Sequence, residues 1–158
     1  MKVALMSDSH DNMDALKRAV HYCNQKKVGA VLHAGDLVAP FVFRVLKDLQ
    51  APLIIVFGNN DGEKNGLSQV FKNKIFEPPH EINVDGRHIL MLHDPAMLKT
   101  IAGTDRYDLI LVGHTHAISV QKEKNLIVNP GELCGWLTGK STLALWDTET
   151  NTAEIITI

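Results

Sequence analysis

The sequence predicts an α/β fold in which two mixed β-sheets pack together as a sandwich, with helices on the outer faces. Short apolar runs at residues 3–6, 30–34 and 53–57 alternate with amphipathic segments in the first half of the chain. These runs are almost continuously apolar, which is typical of parallel strands buried on both faces. Hairpin patterns dominate the second half, and both halves have an apolar face to bury.

In the first half, apolar residues recur at helical spacing between residues 13 and 23, which predicts a helix after the first strand. Gly29 is placed to end that helical region. Pro40 suits the first turn of a second helix, which leads to the third apolar strand. The polar segment 63–74 favours neither a helix nor a strand.

The second half is dominated by strand signals. The Asp-Gly pair at residues 85–86 stands between two apolar runs and predicts a hairpin. A short helix is predicted at residues 96–102, followed by an apolar strand at 109–112. Two further hairpins are predicted over residues 118–128 and 142–158.

The chain has 158 residues, 45% of them hydrophobic and 22% charged, and a formal net charge of −2. These values are typical of a globular protein, and without a linker we expect one domain over residues 1–158. The weak net charge argues against a dedicated binder of long nucleic acid. No apolar run approaches the roughly 20 residues of a membrane span, so no membrane partner is expected.

Cys23 and Cys134 are far apart in sequence and form no CxxC motif, so neither a disulfide framework nor a thiolate metal site is implied. Free thiols fit a reducing compartment. The N-terminus turns polar at Ser7 and shows no signal-peptide pattern. We therefore expect a cytoplasmic protein, for which a homo-oligomer stays open.

Five short polar clusters each follow an apolar run, at the point where a predicted strand stops. Open α/β sheets bind ligands outside the carboxyl ends of their strands, so these clusters are expected to meet. Carboxylate, amide and imidazole groups together suit borderline divalent ions. The sequence therefore predicts a site for two divalent metal ions, with manganese the first choice and iron, nickel, zinc or magnesium as alternatives. The clusters are Asp8-Ser9-His10, Gly35-Asp36, Gly58-Asn59-Asn60-Asp61, His93-Asp94 and Gly113-His114-Thr115-His116.

Each cluster on its own also has an ordinary structural explanation. A lone Gly-Asp or Asp-x-His is common, and Asn59 and Asn60 suit a turn. His114 and His116 form the most specific pair, because two imidazoles at that spacing on a strand would point to one side. The other four histidines are expected in core or surface roles. One of them lies close to Asp36 in the sequence and is a candidate to support that carboxylate. They are His21, His33, His80 and His88, and the candidate is His33.

Taken together, the clusters resemble the signature of the calcineurin-like metallophosphoesterase superfamily. Asp-x-His, Gly-Asp, Gly-Asn, a lone His and Gly-His-x-His occur complete and in order over nearly the whole chain. The short length and the Asn-Pro-Gly at 129–131 are similar to the small prokaryotic phosphodiesterases of that superfamily, a group that is structurally similar to a metal-poor scaffold subunit of the retromer coat. The resemblance implies two metal sites that share Asp36, with Asp8, His10 and His116 at the first and Asn59, His93 and His114 at the second.

Two positions depart from the family pattern. Many members carry a histidine at the position of Asn60, where it is credited with protonating the leaving group. Asparagine cannot do that, so efficient turnover is expected only for esters with good leaving groups. Glu132 stands where a small residue, often serine, usually follows Asn-Pro-Gly.

The predicted reaction is hydrolysis of a small phosphodiester by a hydroxide that bridges the two metals, because metal coordination lowers the pKa of water to about 7. Asp36 can bridge both ions through its two carboxylate oxygens, and Asn59 can add a hydrogen-bond donor. Asp61 is expected to orient a metal-binding group or a neighbouring histidine. The predicted catalytic residues are Asp36, Asn59, Asp61 and His114.

Charge favours a diester substrate. Two divalent ions and two carboxylates leave about +2, or about +1 with a bound hydroxide, which matches the single negative charge of a diester. A monoester dianion would benefit from an added cation, and the clusters contain none. Lys99, Arg87 and Arg106 are the cations that could approach from elsewhere.

Three other functions stay open. A catalytically silent interaction module on the same scaffold would be expected to lack metal ligands, and here the predicted set is complete. A nuclease is disfavoured by the small size and the near-neutral charge. A phosphomonoesterase is separated from a diesterase only by assay.

Overall fold

Two mixed β-sheets form the centre of the computed structural model, which describes residues 1–101 and 105–158. The strands are β1 (Lys2–Met6), β2 (Ala30–His33), β3 (Leu53–Val56), β4 (Ile75–Phe76), β5 (His80–Val84), β6 (Arg87–Met91), β7 (Leu109–Leu111), β8 (Ser119–Lys122), β9 (Leu126–Asn129), β10 (Thr142–Asp147) and β11 (Thr152–Thr157). The helices are α1 (Met13–Lys26), α2 (Phe43–Leu46), α3 (Lys64–Phe71) and α4 (Leu98–Ile101). Short 3₁₀ turns cover Pro40–Val42, Lys72–Lys74 and Pro95–Met97.

The first sheet has the strand order β11-β10-β1-β2-β3-β4, and the second has the order β5-β6-β7-β9-β8. Strands β1 to β4 are parallel, and so are β6, β7 and β9, whereas β10, β11, β5 and β8 pair antiparallel with their neighbours. The parallel strands of each sheet therefore end along one edge, and their following loops emerge together.

Apolar side chains fill the space between the two sheets and also cover both outer faces. Leu5 from the first sheet and Leu111 from the second are fully buried in the central layer, together with Trp146. Ala4 and Met6 point the other way and pack under the helices, because alternate residues of a strand face opposite sides. Burying one large apolar side chain contributes roughly 1.5–3 kcal/mol, so both the layer between the sheets and the layer under the helices stabilise the sandwich.

Helices α1, α2 and α3 pack on the outer face of the first sheet through a continuous apolar cluster. On the outer face of the second sheet, Leu98 and Ile101 of α4 pack against buried residues that include Leu90 and Ile110. The layers therefore run helix, sheet, sheet, helix, which confirms the predicted sandwich of two mixed sheets with flanking helices.

The first helix is set by local sequence, as predicted. The Asn12 side chain accepts a hydrogen bond from the Ala15 amide at 3.1 Å and so caps the N-terminus of the helix. The helix ends at Lys26, ahead of Gly29, because Lys27 adopts a left-handed conformation with φ of 51°. Its buried face is Ala15, Leu16, Ala19, Val20 and Cys23.

The structure differs from the prediction in three segments. Residues 63–74 do contain a helix, α3, because Leu67 and Phe71 supply a buried apolar face that the polar composition hides. The predicted second helix is shorter than its apolar stripe, since a 3₁₀ turn from Pro40 leads into the four-residue α2. The helix predicted at 96–102 is a 3₁₀ turn followed by α4, and Ala102 lies outside the described residues.

The hairpin predicted around residues 85–86 is confirmed by the pairing of Val84 with Arg87 in β5 and β6. None of the helices in the described part of the chain combines the length and apolar character that a membrane crossing requires.

Candidate metal centre

The five polar clusters converge at one end of the sandwich, where loops follow five parallel strands. The first sheet supplies the loops after β1, β2 and β3, and the second supplies those after β6 and β7. The site therefore lies across the edges of both sheets, as the sequence predicted. The side chains brought together are Asp8, His10, Asp36, Asn59, His93, His114 and His116.

The first ligand group consists of Asp8, His10 and His116, whose ligand atoms all lie within 4.8 Å of one another. The Nε2 atoms of His10 and His116 are 3.3 Å apart, and the His116 Nε2 is 3.5 Å from Asp8 Oδ1. Asp8 Oδ1 is buried and has no hydrogen-bond partner among the described residues. A buried carboxylate oxygen without a partner is costly, so a cation held between these three groups fits the donor set.

The second ligand group consists of Asn59, His93 and His114. Asn59 Oδ1 lies 2.8 Å from His93 Nε2 and 2.8 Å from His114 Nδ1. His93 Nδ1 is 2.7 Å from the Ala34 carbonyl, an acceptor that fixes the proton of the neutral ring on Nδ1. The Nε2 lone pair then faces the Asn59 oxygen, so two acceptors face each other. A cation bound between them would remove this repulsion.

Asp36 lies between the two groups. Its Oδ2 atom is 3.5 Å from His10 Nε2 and 3.4 Å from His93 Nε2, the position required of a bridging carboxylate. Burial would raise the pKa of Asp36, but the adjacent His93 imidazole and hydrogen bonds from Asn60 hold it well below the usual range of an aspartate. The group is therefore anionic at neutral pH.

Asn60, which replaces the expected histidine, clamps this carboxylate. Its backbone amide donates to Asp36 Oδ1 at 2.8 Å, and its side-chain amide donates to Oδ2 at 2.8 Å. An asparagine at this position therefore orients the shared ligand, a role that the sequence reasoning did not find.

The loops turn sharply enough to bring these groups together because much of their backbone is left-handed. Such a conformation is unusual for residues other than glycine and costs energy that the surrounding contacts must offset. One such contact is the hydrogen bond from the His114 amide to Asp8 Oδ2 at 3.0 Å. The ligands with positive φ are Asp8 (54°), His10 (40°), Asp36 (61°), His114 (68°) and His116 (58°).

The expectation that His114 and His116 point to one side of a strand is wrong. Strand β7 ends at Leu111, and both histidines lie in the following loop with left-handed backbone. As a result, His114 turns to Asn59 and the second group, whereas His116 turns to Asp8 and the first.

Asp61 supports the site through the backbone and is almost completely buried. It accepts hydrogen bonds from the amides of Gly58 at 2.7 Å, Val38 at 2.7 Å and Asp36 at 3.1 Å. These contacts fix the loop that carries Asp36, so Asp61 positions that carboxylate. Burial raises the pKa of Asp61, although these amide donors oppose the shift.

Glu132 contacts His116, and the sequence reasoning noted this residue only as a departure. Its Oε2 lies 2.7 Å from His116 Nδ1, and the carboxylate also accepts from the Leu137 amide and the Thr138 hydroxyl. Burial would raise the pKa of Glu132, but hydrogen bonds from Thr138, His116 and Cys134 lower it to about 2. The sequence did contain a signal for this role, because Glu132 is a charged residue between Asn-Pro-Gly and the apolar pair Leu133-Cys134.

The histidines predicted to lie outside the site do so. His33 is buried and neutral, because burial lowers its pKa to about 4. Its ring nitrogens contact Ser9 Oγ and the Gly35 amide, so it supports the turn next to Asp36. His21 and His88 are exposed, and His80 stacks on a phenylalanine ring.

Two of the three cations proposed to approach from elsewhere, Arg87 and Arg106, are placed away from the site. Arg87 and Arg106 lie at the opposite ends of the strands, paired with Asp108 and Glu81 at 2.8 Å each. Lys99 is exposed on α4.

The family model of the calcineurin-like phosphoesterase superfamily domain matches residues 1–151. Phosphodiesterase MJ0936 of Methanocaldococcus jannaschii is 33% identical over 156 residues, which cover 94% of each chain. A probable metallophosphoesterase of Methanothermobacter thermautotrophicus is 29% identical over 164 residues, covering 99% of this chain and 92% of the relative. The chain therefore belongs to the calcineurin-like phosphoesterase superfamily, as its motifs predicted.

Solved structures agree with this assignment. A structure of an archaeal phosphodiesterase covers the whole of both chains with a TM-score of 0.92 at 31% identity. Vps29 of Chaetomium thermophilum matches with a TM-score of 0.72 at 16% identity, over 100% of this chain and 94% of Vps29. At that identity, the likeness to Vps29 shows the fold alone.

Proposed function

We propose that this phosphoesterase is a phosphodiesterase that uses two divalent metal ions to hydrolyse small phosphodiesters. The observation that carries the proposal is that two separate ligand groups meet at one carboxylate, Asp36, which faces an imidazole of each group at 3.4–3.5 Å. Asp8 Oδ1 is buried and has no hydrogen-bond partner in the part of the chain that the structure describes, and two imidazole nitrogens lie only 3.3 Å apart, both of which fit a bound cation.

The proposed ligands divide as the two groups do. One ion would be held by Asp8, His10 and His116, the other by Asn59, His93 and His114, and both by Asp36. Bound there, the two ions would acidify a coordinated water to a pKa of about 7 and neutralise charge on the phosphoryl oxygens. Manganese is the proposed native metal, because the donor set contains oxygen and imidazole ligands and no thiolate.

The chain's own residues have distinct parts in this proposal. Asn59 directs its oxygen at His93 and His114, which leaves its Nδ2 amide to donate to a phosphoryl oxygen. Asn60 holds Asp36 and has no proton to give to a departing alkoxide. The enzyme should therefore favour esters whose leaving group departs as a stable anion.

Charge supports a diester over a monoester. The proposed ligand set contains two carboxylates, so two divalent ions would leave about +2 in the site. Neither Arg87 nor Arg106 is positioned to balance a second substrate charge, since each is paired at the far end of the strands. The relative from Methanocaldococcus jannaschii is itself named a phosphodiesterase.

The test compares two esters under controlled metal content. The purified protein is stripped with a chelator, reloaded with manganese, iron, nickel, zinc or magnesium, and assayed on bis- and mono-p-nitrophenyl phosphate. We expect metal-dependent turnover with preference for the bis ester, and its loss in Asp36→Asn. Asp14→Asn, an exposed carboxylate on α1, is the matched control and should stay active.

Other outcomes point to the alternatives. Turnover of the mono ester alone would indicate a phosphomonoesterase. No turnover with any metal would favour a scaffold without catalysis on this fold. The single domain over residues 1–158, the cytoplasmic location and a possible homo-oligomer stay predictions.

A further inference from the structure

A cleft opens beside the second ligand group and has a volume of about 240 Å³. We name it the side cleft. Asn59, His93 and His114 form one of its walls, so it is continuous with the candidate metal centre. Anything bound at these three residues lies at its mouth.

Apolar side chains also line the side cleft. They include Phe57, Pro78 and Met97, and Met97 remains 39% exposed although its side chain is apolar.

The charged side chains that line the side cleft are one cation, Lys64, and two carboxylates, Glu77 and Asp94. Lys64 Nζ pairs with both carboxylate oxygens of Glu77 at 2.9 and 3.0 Å, and it lies 4.9 Å from the centre of the Phe57 ring. A second phosphate or carboxylate on the substrate would have to compete with Glu77 for this ammonium. The lining therefore favours a neutral group.

We propose that the side cleft receives one uncharged, ring-sized organic substituent of the phosphodiester, such as an aryl group. This inference rests on the proposed function, and it names the substrate class of the same site. Pockets for drug-sized ligands span roughly 300–1,000 Å³, so a cleft below that range suits a single substituent. The shared wall of Asn59, His93 and His114 would hold the phosphoryl group against its mouth.

The experiment uses two monoanionic probes that differ only in their substituents, diphenyl phosphate and dimethyl phosphate. Each is titrated into the full-length protein loaded with zinc, which is diamagnetic, and affinity is measured by calorimetry. Methionine methyl groups are labelled with ¹³C, and Met97→Leu assigns the Met97 signal. We expect diphenyl phosphate to bind roughly tenfold more tightly, with a shift of the Met97 methyl signal that dimethyl phosphate does not cause.

Variants place the preference in the side cleft. Met97→Asp should remove most of the tenfold preference, because a hydrated carboxylate replaces the apolar side chain that would contact the ring, whereas its charge acts alike on both monoanionic probes. Val120→Asp, at an exposed apolar residue on β8 that does not line the side cleft, should leave the preference unchanged. Trp136 is the rival contact, since it is 64% exposed and its ring lies 6.2 Å from that of His10.

The results separate the side cleft from the proposed function. Equal affinity for the two probes, an unmoved Met97 signal, or loss of the preference in Trp136→Ser alone would overturn the side cleft as the substituent site. These outcomes are compatible with metal-dependent turnover of bis-p-nitrophenyl phosphate. Conversely, a Met97 shift with diphenyl phosphate in a protein that turns over no ester would support the cleft and count against the enzyme.

Discussion

Glu132 and His116 are joined by a hydrogen bond of 2.7 Å between a buried carboxylate oxygen and the imidazole Nδ1. Because a carboxylate accepts, the Nδ1 of His116 carries the proton and its Nε2 is left as a lone pair directed at Asp8. The same carboxylate accepts hydrogen bonds from the Leu137 amide and the Thr138 hydroxyl. These bonds hold the carboxylate in place, and the carboxylate in turn holds the His116 ring. Carboxylates behind histidine ligands commonly set ring orientation and ligand basicity in this way.

The first prediction concerns metal affinity in Glu132→Gln. The amide keeps the shape of the side chain but removes the negative charge behind His116. We expect affinity at one of the two sites to fall by roughly 10- to 100-fold, with the other nearly unchanged. Calorimetric titration of the stripped protein with manganese measures both sites.

Glu154→Gln, at an exposed glutamate on β11, is the control and should bind both ions as the unchanged protein does. If Glu132→Gln also bound both ions normally, the carboxylate would be a loop anchor without influence on the metal centre.

The second prediction is a pH dependence of stability due to Glu132. Its pKa is about 2 in the folded protein against an ordinary value of 4.5, so the unfolded chain binds the proton more tightly. The stabilisation is therefore complete above about pH 4.5 and is lost as the pH falls towards 2, with a size of about 3 kcal/mol.

Urea unfolding of the metal-free protein between pH 6 and pH 2.5 measures this effect. The unchanged protein should lose more stability over that interval than Glu132→Gln, because the amide does not titrate. Parallel curves for the two proteins would show that folding does not lower the pKa of Glu132.

The sequence was sufficient to predict that these seven side chains converge, and the reason is geometric. Asp8, Asp36 and Asn59 each follow a continuous apolar run, and the carboxyl ends of neighbouring parallel strands must lie together. His93 and His114 follow strands of the second sheet, which packs against the first, so they reach the same edge. The apolar periodicity and the turn residues show where each strand ends, and both can be read from the local sequence.

The supporting contacts could not be predicted because they depend on how distant loops meet. The Asn60 amide reaches a carboxylate 24 positions earlier, and Glu132 reaches a histidine 16 positions earlier, through turns with left-handed backbone. Nothing in the local pattern distinguishes these residues from turn formers. Helix α3 was missed for a related reason, since only Leu67 and Phe71 among its eight residues are buried.

The third prediction concerns Asp8, whose Oδ1 is buried without a partner among the described residues. In Asp8→Asn, the side chain keeps its shape and an oxygen that can accept from the His114 amide, but it loses the negative charge that would attract a cation. Binding to the folded state alone adds about 2.7 kcal/mol when the ligand is at 100 times its Kd. Manganese should therefore raise the melting temperature of the variant much less than that of the unchanged protein.

Thermal unfolding with and without manganese tests this, and Asp14→Asn on the exposed side of α1 should keep the full metal-induced gain. An equal gain in Asp8→Asn would exclude Asp8 as a metal ligand.

The last prediction uses two glycines of the same loop region as a matched pair. A Cβ atom on Gly58 would collide with the Asp36 carboxylate, whereas one on Gly62 would meet no atom within 4 Å. Gly58→Ala must therefore displace Asp36 from its place between His10 and His93 or strain the loop that carries Asn59, at a cost of roughly 1–3 kcal/mol. Gly62→Ala introduces the same methyl group into open space and should change the free energy of unfolding little.

Chemical unfolding and manganese titration of both variants check this, and the expected pattern is weakened binding of both ions in Gly58→Ala only. Both ions must be affected because Asp36 contacts both ligand groups. Loss at a single site would mean that Asp36 belongs to one group and that the bridge does not form.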